Sequence, residues 1–225
     1  MQWRWNWVDP SSYVFETLGR ELGQLHRVSD MLALPPRHDR KPWFESHAAR
    51  LPVPPTIGLN PQICEMMESF TERMRRGRRR SRHYGLVHGD LHAGRFLYEA
   101  GGIELTDFGL GVYGWRAMDF ATLLFVHYGL PSTRVDDASP ARARDVLAAM
   151  VRGYRREYGL GEEQLSAIND MMKLRSILDY LTMVAAPDRW KAAHGHSRTP
   201  IGESVAWIEQ LWTNELRFEI DVRGI

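Results

Sequence analysis

Residues 86–109 read L-V-H-G-D-L-H-A-G-R-F-L-Y-E-A-G-G-I-E-L-T-D-F-G. Two short apolar runs, Phe96-Leu97-Tyr98 and Ile103-Glu104-Leu105, flank a glycine turn at Gly101-Gly102. β-prone runs bounded by turn residues predict a hairpin. His88-Gly89-Asp90 stands before the first run and Asp107-Phe108-Gly109 after the second. A hairpin between them brings both aspartates to one end of the ribbon. Two neighbouring carboxylates suit a metal-assisted transfer, one handling a proton and the other a cation.

The flanking sequence predicts mostly helix. Asp9-Pro10-Ser11-Ser12 is a helix start, and Val14, Leu18, Leu22 and Leu25 follow at helical spacing up to Val28. Pro61 to Met74 forms a second helix with Ile63, Met66, Met67, Phe70 and Met74 on one side, a pattern of core packing. Trp115 to Tyr128 reads as a buried helix containing Asp119. Ser139-Pro140 starts another, with Val146, Leu147, Met150, Val151, Tyr154 and Tyr158 facing in and Gly159 ending it. Glu162 to Ala186 and Ile201 to Ile220 are the last two helices, with a polar loop over Lys191 to Pro200. The alternating Trp3, Trp5 and Trp7 have strand-like spacing and suit packing on the first helix. Residues 34–61 carry seven prolines and read as an irregular surface insert anchored by Trp43 and Phe44. The expectation is one α+β, mostly α domain over 1–225, divided at 33, 61 and 118.

H-G-D-L-H followed by D-F-G resembles the catalytic core of the aminoglycoside phosphotransferase and choline kinase family, which is similar in fold to protein kinases. L-G-R-E-L-G-Q-L-H at 18–26 also resembles that family's helix after the hinge between lobes. The resemblance implies a kinase-like C-terminal lobe acting on a small hydroxyl-bearing molecule with ATP and Mg2+. It implies that Asp90 orients the acceptor hydroxyl as base, with His88 and His92 in the same loop. It implies that Asp107 holds Mg2+, with Phe108 and Gly109 beside the nucleotide. It gives Asp119 a supporting role, accepting backbone N–H bonds from the catalytic loop. The family's glycine-rich nucleotide loop and phosphate lysine precede the first helix. Only about a dozen residues do so here, so the N-terminal lobe is expected to be missing, to be supplied by an upstream segment or a partner chain.

Arg95 departs from the pattern. It stands five residues after Asp90, where kinases carry an asparagine that binds metal. Arginine has no lone pair and stays charged. It would repel Mg2+, pair with Asp107 in place of the cation, or contact a phosphate directly. This departure and the short N-terminus support the alternative of a truncated pseudokinase-like binding module without catalysis.

Other signals are weaker. Gly109-x-Gly111-x-x-Gly114 matches a dinucleotide fingerprint, but no repeated βαβ units surround it. His88-x-Asp90-x-His92 could form a hydrolytic metal site, but the further ligand clusters are absent. Seven arginines lie between Arg73 and Arg82, without the interleaved aromatics that stack on nucleic acid. Trp190, Trp207 and Trp212 are candidates for an aromatic cage around a choline-like cation, though core packing suits them better. Net charge is +1, which does not by itself suggest nucleic acid or an acidic substrate, and the longest uncharged apolar stretch, Phe120 to Thr133, is too short for a membrane span. One cysteine, Cys64, and no signal-type apolar segment agree with a cytoplasmic setting.

Overall fold

The computed structural model describes residues 12–31, 41–45, 60–77, 82–99, 102–130, 139–193 and 200–225. In chain order the elements are α1 (Ser12–Met31), a 3-10 turn (Trp43–Glu45), α2 (Pro61–Arg76), β1 (Tyr84–Val87), β2 (Phe96–Glu99), β3 (Gly102–Leu105) and β4 (Val112–Trp115). There follow α3 (Ala117–Leu124) with a π turn (Phe125–Gly129), α4 (Ser139–Tyr154), α5 (Glu162–Ser166), α6 (Ile168–Ala185), α7 (Pro187–Ala193) and α8 (Ile201–Trp212). The described elements are therefore mostly helical with two small antiparallel sheets, as the sequence suggests.

The two sheets are nested hairpins. β2 pairs with β3 from Phe96↔Leu105 to Glu99↔Gly102. β1 pairs with β4 outside them, from Tyr84↔Trp115 to Val87↔Val112. The segments joining outer and inner pairs, 88–95 and 106–111, must therefore lie side by side. Backbone bonds link them, the Thr106 N–H donating to the Arg95 carbonyl at 2.9 Å. This nesting, more than the inner turn, sets the two aspartate motifs together.

The helices supply the core. α1 lies across α4 at very short range, because Gly19 and Gly153 have no side chains. A Cβ on Gly153 would stand 1.8 Å from the Glu16 carbonyl oxygen, and one on Gly19 would stand 1.9 Å from that of Met150. Leu18, Leu22, Phe120, Leu147, Met150 and Tyr154 fill the space beneath. α3 is apolar on all sides and wholly buried, with Asp119 its one acidic residue. Trp43, one of the two residues expected to anchor the 34–61 stretch, is buried and packs on Trp115 with ring centroids 5.7 Å apart; most of that stretch lies outside the described residues.

Several expectations need correction. β1 and β4 were not foreseen, and Trp115 ends β4 instead of opening a helix. Gly102 belongs to β3 and not to the turn, and residues 100–101 lie outside the described set. Met66 is exposed, because the buried stripe of α2 runs through Ile63, Met67 and Phe70. α4 ends at Tyr154, before Gly159. The span 162–186 is broken at Ala167, the C-cap of one helix and the N-cap of the next. Lys191 to Ala193 closes α7 and is not loop. α8 stops at Trp212 because Asn214 adopts a left-handed φ of 61°, which asparagine tolerates. The tryptophan stretch at 3–7 lies outside the described residues.

Candidate active site

The site occupies the junction between the outer and inner hairpins. Gly89 turns the first segment with φ of 80°, and a Cβ there would stand 2.4 Å from the Leu110 carbonyl. Only glycine fits both conditions. The following loop folds onto its own histidines. His88 is buried, and its Nε2–H donates to the Thr106 carbonyl at 2.9 Å. Its Nδ1 faces the Asp90 N–H at 3.4 Å. His92 accepts the Gly94 N–H at Nδ1, 3.1 Å, and turns Nε2 to Asp90 Oδ2 at 3.5 Å. Burial lowers the basicity of His92, with Asp90 acting against that. His127, from the π turn, accepts the Ala93 N–H at 2.9 Å.

Asp119 holds this loop from below. Its Oδ2 accepts the His88 N–H and its Oδ1 the Gly89 N–H, each at 2.9 Å. His26 of α1 adds a third contact, Nε2 to Oδ2 at 3.1 Å, and its Nδ1 lies 2.8 Å from the Tyr154 hydroxyl. Burial alone would raise the Asp119 carboxyl, but the His26 hydrogen bond and the loop's donors hold it below the usual range. Burial lowers His26, so a neutral ring donates through Nε2 and accepts from Tyr154.

The two motif aspartates differ in setting. Asp90 is 2% exposed, and the side chain of Asp107 is about half exposed. Asp107 sits at φ 57°, the left-handed region, where a side chain other than glycine is strained unless the surroundings hold it. Its Oδ1 accepts the Gly109 N–H at 3.3 Å. Phe108 is partly exposed and stacks on His88, centroids 4.9 Å apart, joining the two motifs. Arg95 spans both carboxylates. Its Nη2 and Nε donate to Asp90 Oδ2 at 2.9 and 3.1 Å, and its Nη1 pairs with Asp107 Oδ2.

Two further charged residues were missed by sequence reasoning. Arg175 of α6 is buried, and its Nη1 donates to Asp90 Oδ1 at 3.0 Å. Its Nε lies 2.8 Å from Asp179 Oδ1, one helical turn on. Burial would raise the Asp90 carboxyl, but the charges of Arg175, His92 and Arg95 hold it far below the usual range. Asp179 has only a share of Arg175, and burial pushes it up to about 6. The available signal was an i, i+4 charge pair on an otherwise apolar helix face. Of the candidate cage residues, Trp207 and Trp212 donate to the Gly129 carbonyl and the Ser176 hydroxyl, and Trp190 is buried.

Mg2+ takes hard oxygen ligands, usually one or two carboxylates with phosphate oxygens and water. The outward Asp107 carboxylate fits that demand. Arg95 does not, and it already pairs with Asp107 Oδ2. Among the described residues no three His, Cys, Asp or Glu side chains converge as a metal-binding group. No described helix is long and apolar enough to cross a membrane.

A loop carrying His-Gly-Asp, a facing Asp-Phe-Gly and a helix carboxylate that holds the first loop together lie on a mostly helical lobe of kinase-like fold. The chain belongs to the phosphotransferase enzyme family, whose model matches residues 3–164. It is 30% identical over 178 residues to the amicoumacin kinase of Bacillus subtilis (strain 168), covering 77% of this chain and 52% of that protein. Among solved structures it is similar to the amicoumacin kinase hAmiN in complex with AMP-PNP, Ca2+ and Ami. That match has a TM-score of 0.76 at 22% identity and covers 96% of this chain and 63% of the other. It also resembles a microcompartment-associated aminopropanol kinase, with a TM-score of 0.61 at 22% identity, covering 93% and 65%. The chain thus spans about half the length of the curated relative it matches.

Proposed function

We propose that this chain forms the catalytic half of an ATP-dependent kinase acting on a hydroxyl group of a small molecule. The observation that carries the reading is the pairing of a buried Asp90 with an outward Asp107 across one nested hairpin. Asp90 orients the acceptor hydroxyl. The hydroxyl oxygen attacks the γ-phosphorus, the bond to the β–γ bridging oxygen breaks, and ADP leaves. A carboxylate as acidic as Asp90 is a weak base. It takes the proton only as the new bond forms, which suits a loose transition state in which positioning and charge neutralisation dominate. His88 and His92 shape the loop. Asp107 is the residue to hold Mg2+, which would neutralise charge on the phosphates. Phe108 and Gly109 lie beside that position, and Asp119 keeps the loop in register.

The relatives are named for amicoumacin and aminopropanol, so these two head the list of substrates to test. A phosphate-covering surface opposite Asp107 is part of this reading, from an upstream segment or a partner chain.

Arg95 favours a second reading, a binding module without catalysis, because it fills the gap between the two carboxylates. One assay separates the two. The purified chain, alone and with the nucleotide-covering lobe of an amicoumacin kinase fused to it, is incubated with ATP, Mg2+ and a panel of amicoumacin, aminopropanol, choline and aminoglycosides. The kinase reading expects a phosphorylated product that Asp90→Asn abolishes. No product from any acceptor in either form overturns it.

A further inference from the structure

Asp90 is gripped from two sides by different elements. Arg95, in its own loop, holds Oδ2, and Arg175, on α6, holds Oδ1. Arg95 is partly exposed and also spans to Asp107, so anything entering the site competes with it. Arg175 is 8% exposed, buried behind Asp90. Its ion-pair partners among the described residues are Asp90 and Asp179.

The cost of this arrangement is informative. Asp179 is 3% exposed, and its second oxygen has no hydrogen-bond partner among the described residues. A buried, half-satisfied carboxylate lowers stability, and apolar residues of similar size would fill the same space better. Leu174, Ile177 and Tyr180, around it on α6, show that the helix otherwise packs as core. The pair does hold the guanidinium at a fixed angle. Asp179 Oδ1 lies 2.8 Å from Nε as an ion pair without hydrogen-bond geometry, while Nη1 donates to Asp90 Oδ1. A planar guanidinium with a carboxylate charge beside Nε and a hydrogen bond from Nη1 defines a direction that a single ammonium does not.

We infer that Arg175 is a positioning residue, oriented by Asp179, that fixes the Asp90 carboxylate through Oδ1 and so leaves Oδ2 as the oxygen presented to the acceptor. The inference rests on the kinase reading for its catalytic consequence, but not for its geometry. Both groups act through Asp90 and neither meets the reacting atoms. The charged and titratable groups facing Asp90 are Arg175 from α6, and His92 and Arg95 from its own loop, with Asp179 behind Arg175.

The test uses Arg175→Met, Arg175→Lys and Asp179→Asn in the full chain, with fold checked by circular dichroism. The first readout is the side-chain carboxyl 13C signal of Asp90, assigned by its loss in Asp90→Asn and followed without substrate. Arg175→Met is expected to shift that signal and raise its titration midpoint, with Arg175→Lys returning part of the change. This arm stands even if the chain phosphorylates nothing, so it separates failure of the kinase reading from failure of this one. The second readout is steady-state kinetics with whichever acceptor the panel yields. Arg175→Met should lower kcat between about tenfold and a hundredfold, the scale of a misplaced group, with KM for the acceptor changed far less. Arg175→Lys should recover part of kcat. Should Arg175→Met fail to fold, Asp179→Asn takes its place with the same directions and smaller changes. An Asp90 signal unmoved by folded Arg175→Met or Asp179→Asn overturns the inference. So does an equal loss in the Lys variant, or unfolding of both Arg175→Met and Asp179→Asn, which would make the pair structural.

Discussion

His26 Nε2 lies 3.1 Å from Asp119 Oδ2, and neither side chain reaches solvent. One carboxylate from α3 thus joins α1 to the backbone of the His-Gly-Asp loop. The family resemblance gives Asp119 a loop-supporting role. The structure adds that a neutral histidine and Tyr154 complete its shell.

Asp119→Asn should destabilise the chain by about 2–4 kcal/mol, since the amide turns a donor towards a donor and leaves a buried N–H unpaired. His26→Ala should cost less, because the two loop amides keep their acceptor. Urea melts of the two variants check the ranking. Equal losses would mean that the loop amides do not depend on Asp119.

Replacing Arg95 by asparagine removes the cation that spans Asp90 and Asp107. If the arginine blocks metal, the variant should show a Mg2+-dependent thermal shift with ATP that is larger than that of the original chain. Saturating ligand adds roughly 3 kcal/mol at about a hundred times Kd, a shift of several degrees for a chain of this size. A smaller shift in Arg95→Asn would instead mark the arginine as a phosphate contact.

The extent to which these features could be read in advance follows sequence distance. The inner hairpin and its two motifs lie within one continuous stretch and carry local turn and strand signals. Asp119 was accessible through a motif and the need of loop amides for acceptors. Arg175 was not, because it meets Asp90 from 85 positions away. The outer hairpin was hidden for another reason. β1 and β4 are four residues each, and Gly85 faces Gly114, so neither shows the alternation that marks a strand. The helix break at Ala167 has no glycine or proline to announce it.

Glycines at the α1–α4 crossing and elsewhere should respond in opposite ways to alanine. A Cβ on Gly153 meets backbone at 1.8 Å, so Gly153→Ala must push the helices apart, at a cost of about 1–3 kcal/mol or more. Gly202, within α8, has nothing within 4 Å of its built Cβ. Gly202→Ala should stabilise by roughly 0.5–1 kcal/mol through helix propensity alone. Paired thermal melts read both signs. Neutral behaviour of Gly153→Ala would contradict the close crossing.

The pH dependence of stability should carry a contribution of unusual sign from Asp179. Its carboxyl rises from an ordinary 3.8 to about 6 in the fold, chiefly by burial that Arg175 offsets only in part. Asp90 has Arg95 and His92 as well as Arg175, so Asp179 is the carboxylate of the two that yields its charge. A raised folded value means that the folded state holds the proton more tightly between about pH 4 and 6. Asp179 therefore favours folding at the acid end of that window, and its contribution falls as pH rises through it. Asp90 and Asp119, held low, act in the opposite sense, and their stabilisation is lost as pH falls below the ordinary carboxylate range. His26 and His92, both lowered, also cost stability as pH drops below their ordinary 6.5. The total slope mixes these groups, so the measurement is a difference. Urea unfolding of the original chain and Asp179→Asn, compared from pH 4 to 7, should show the original losing stability relative to the variant as pH rises. A flat difference across that window would mean that Arg175 keeps Asp179 ionised throughout.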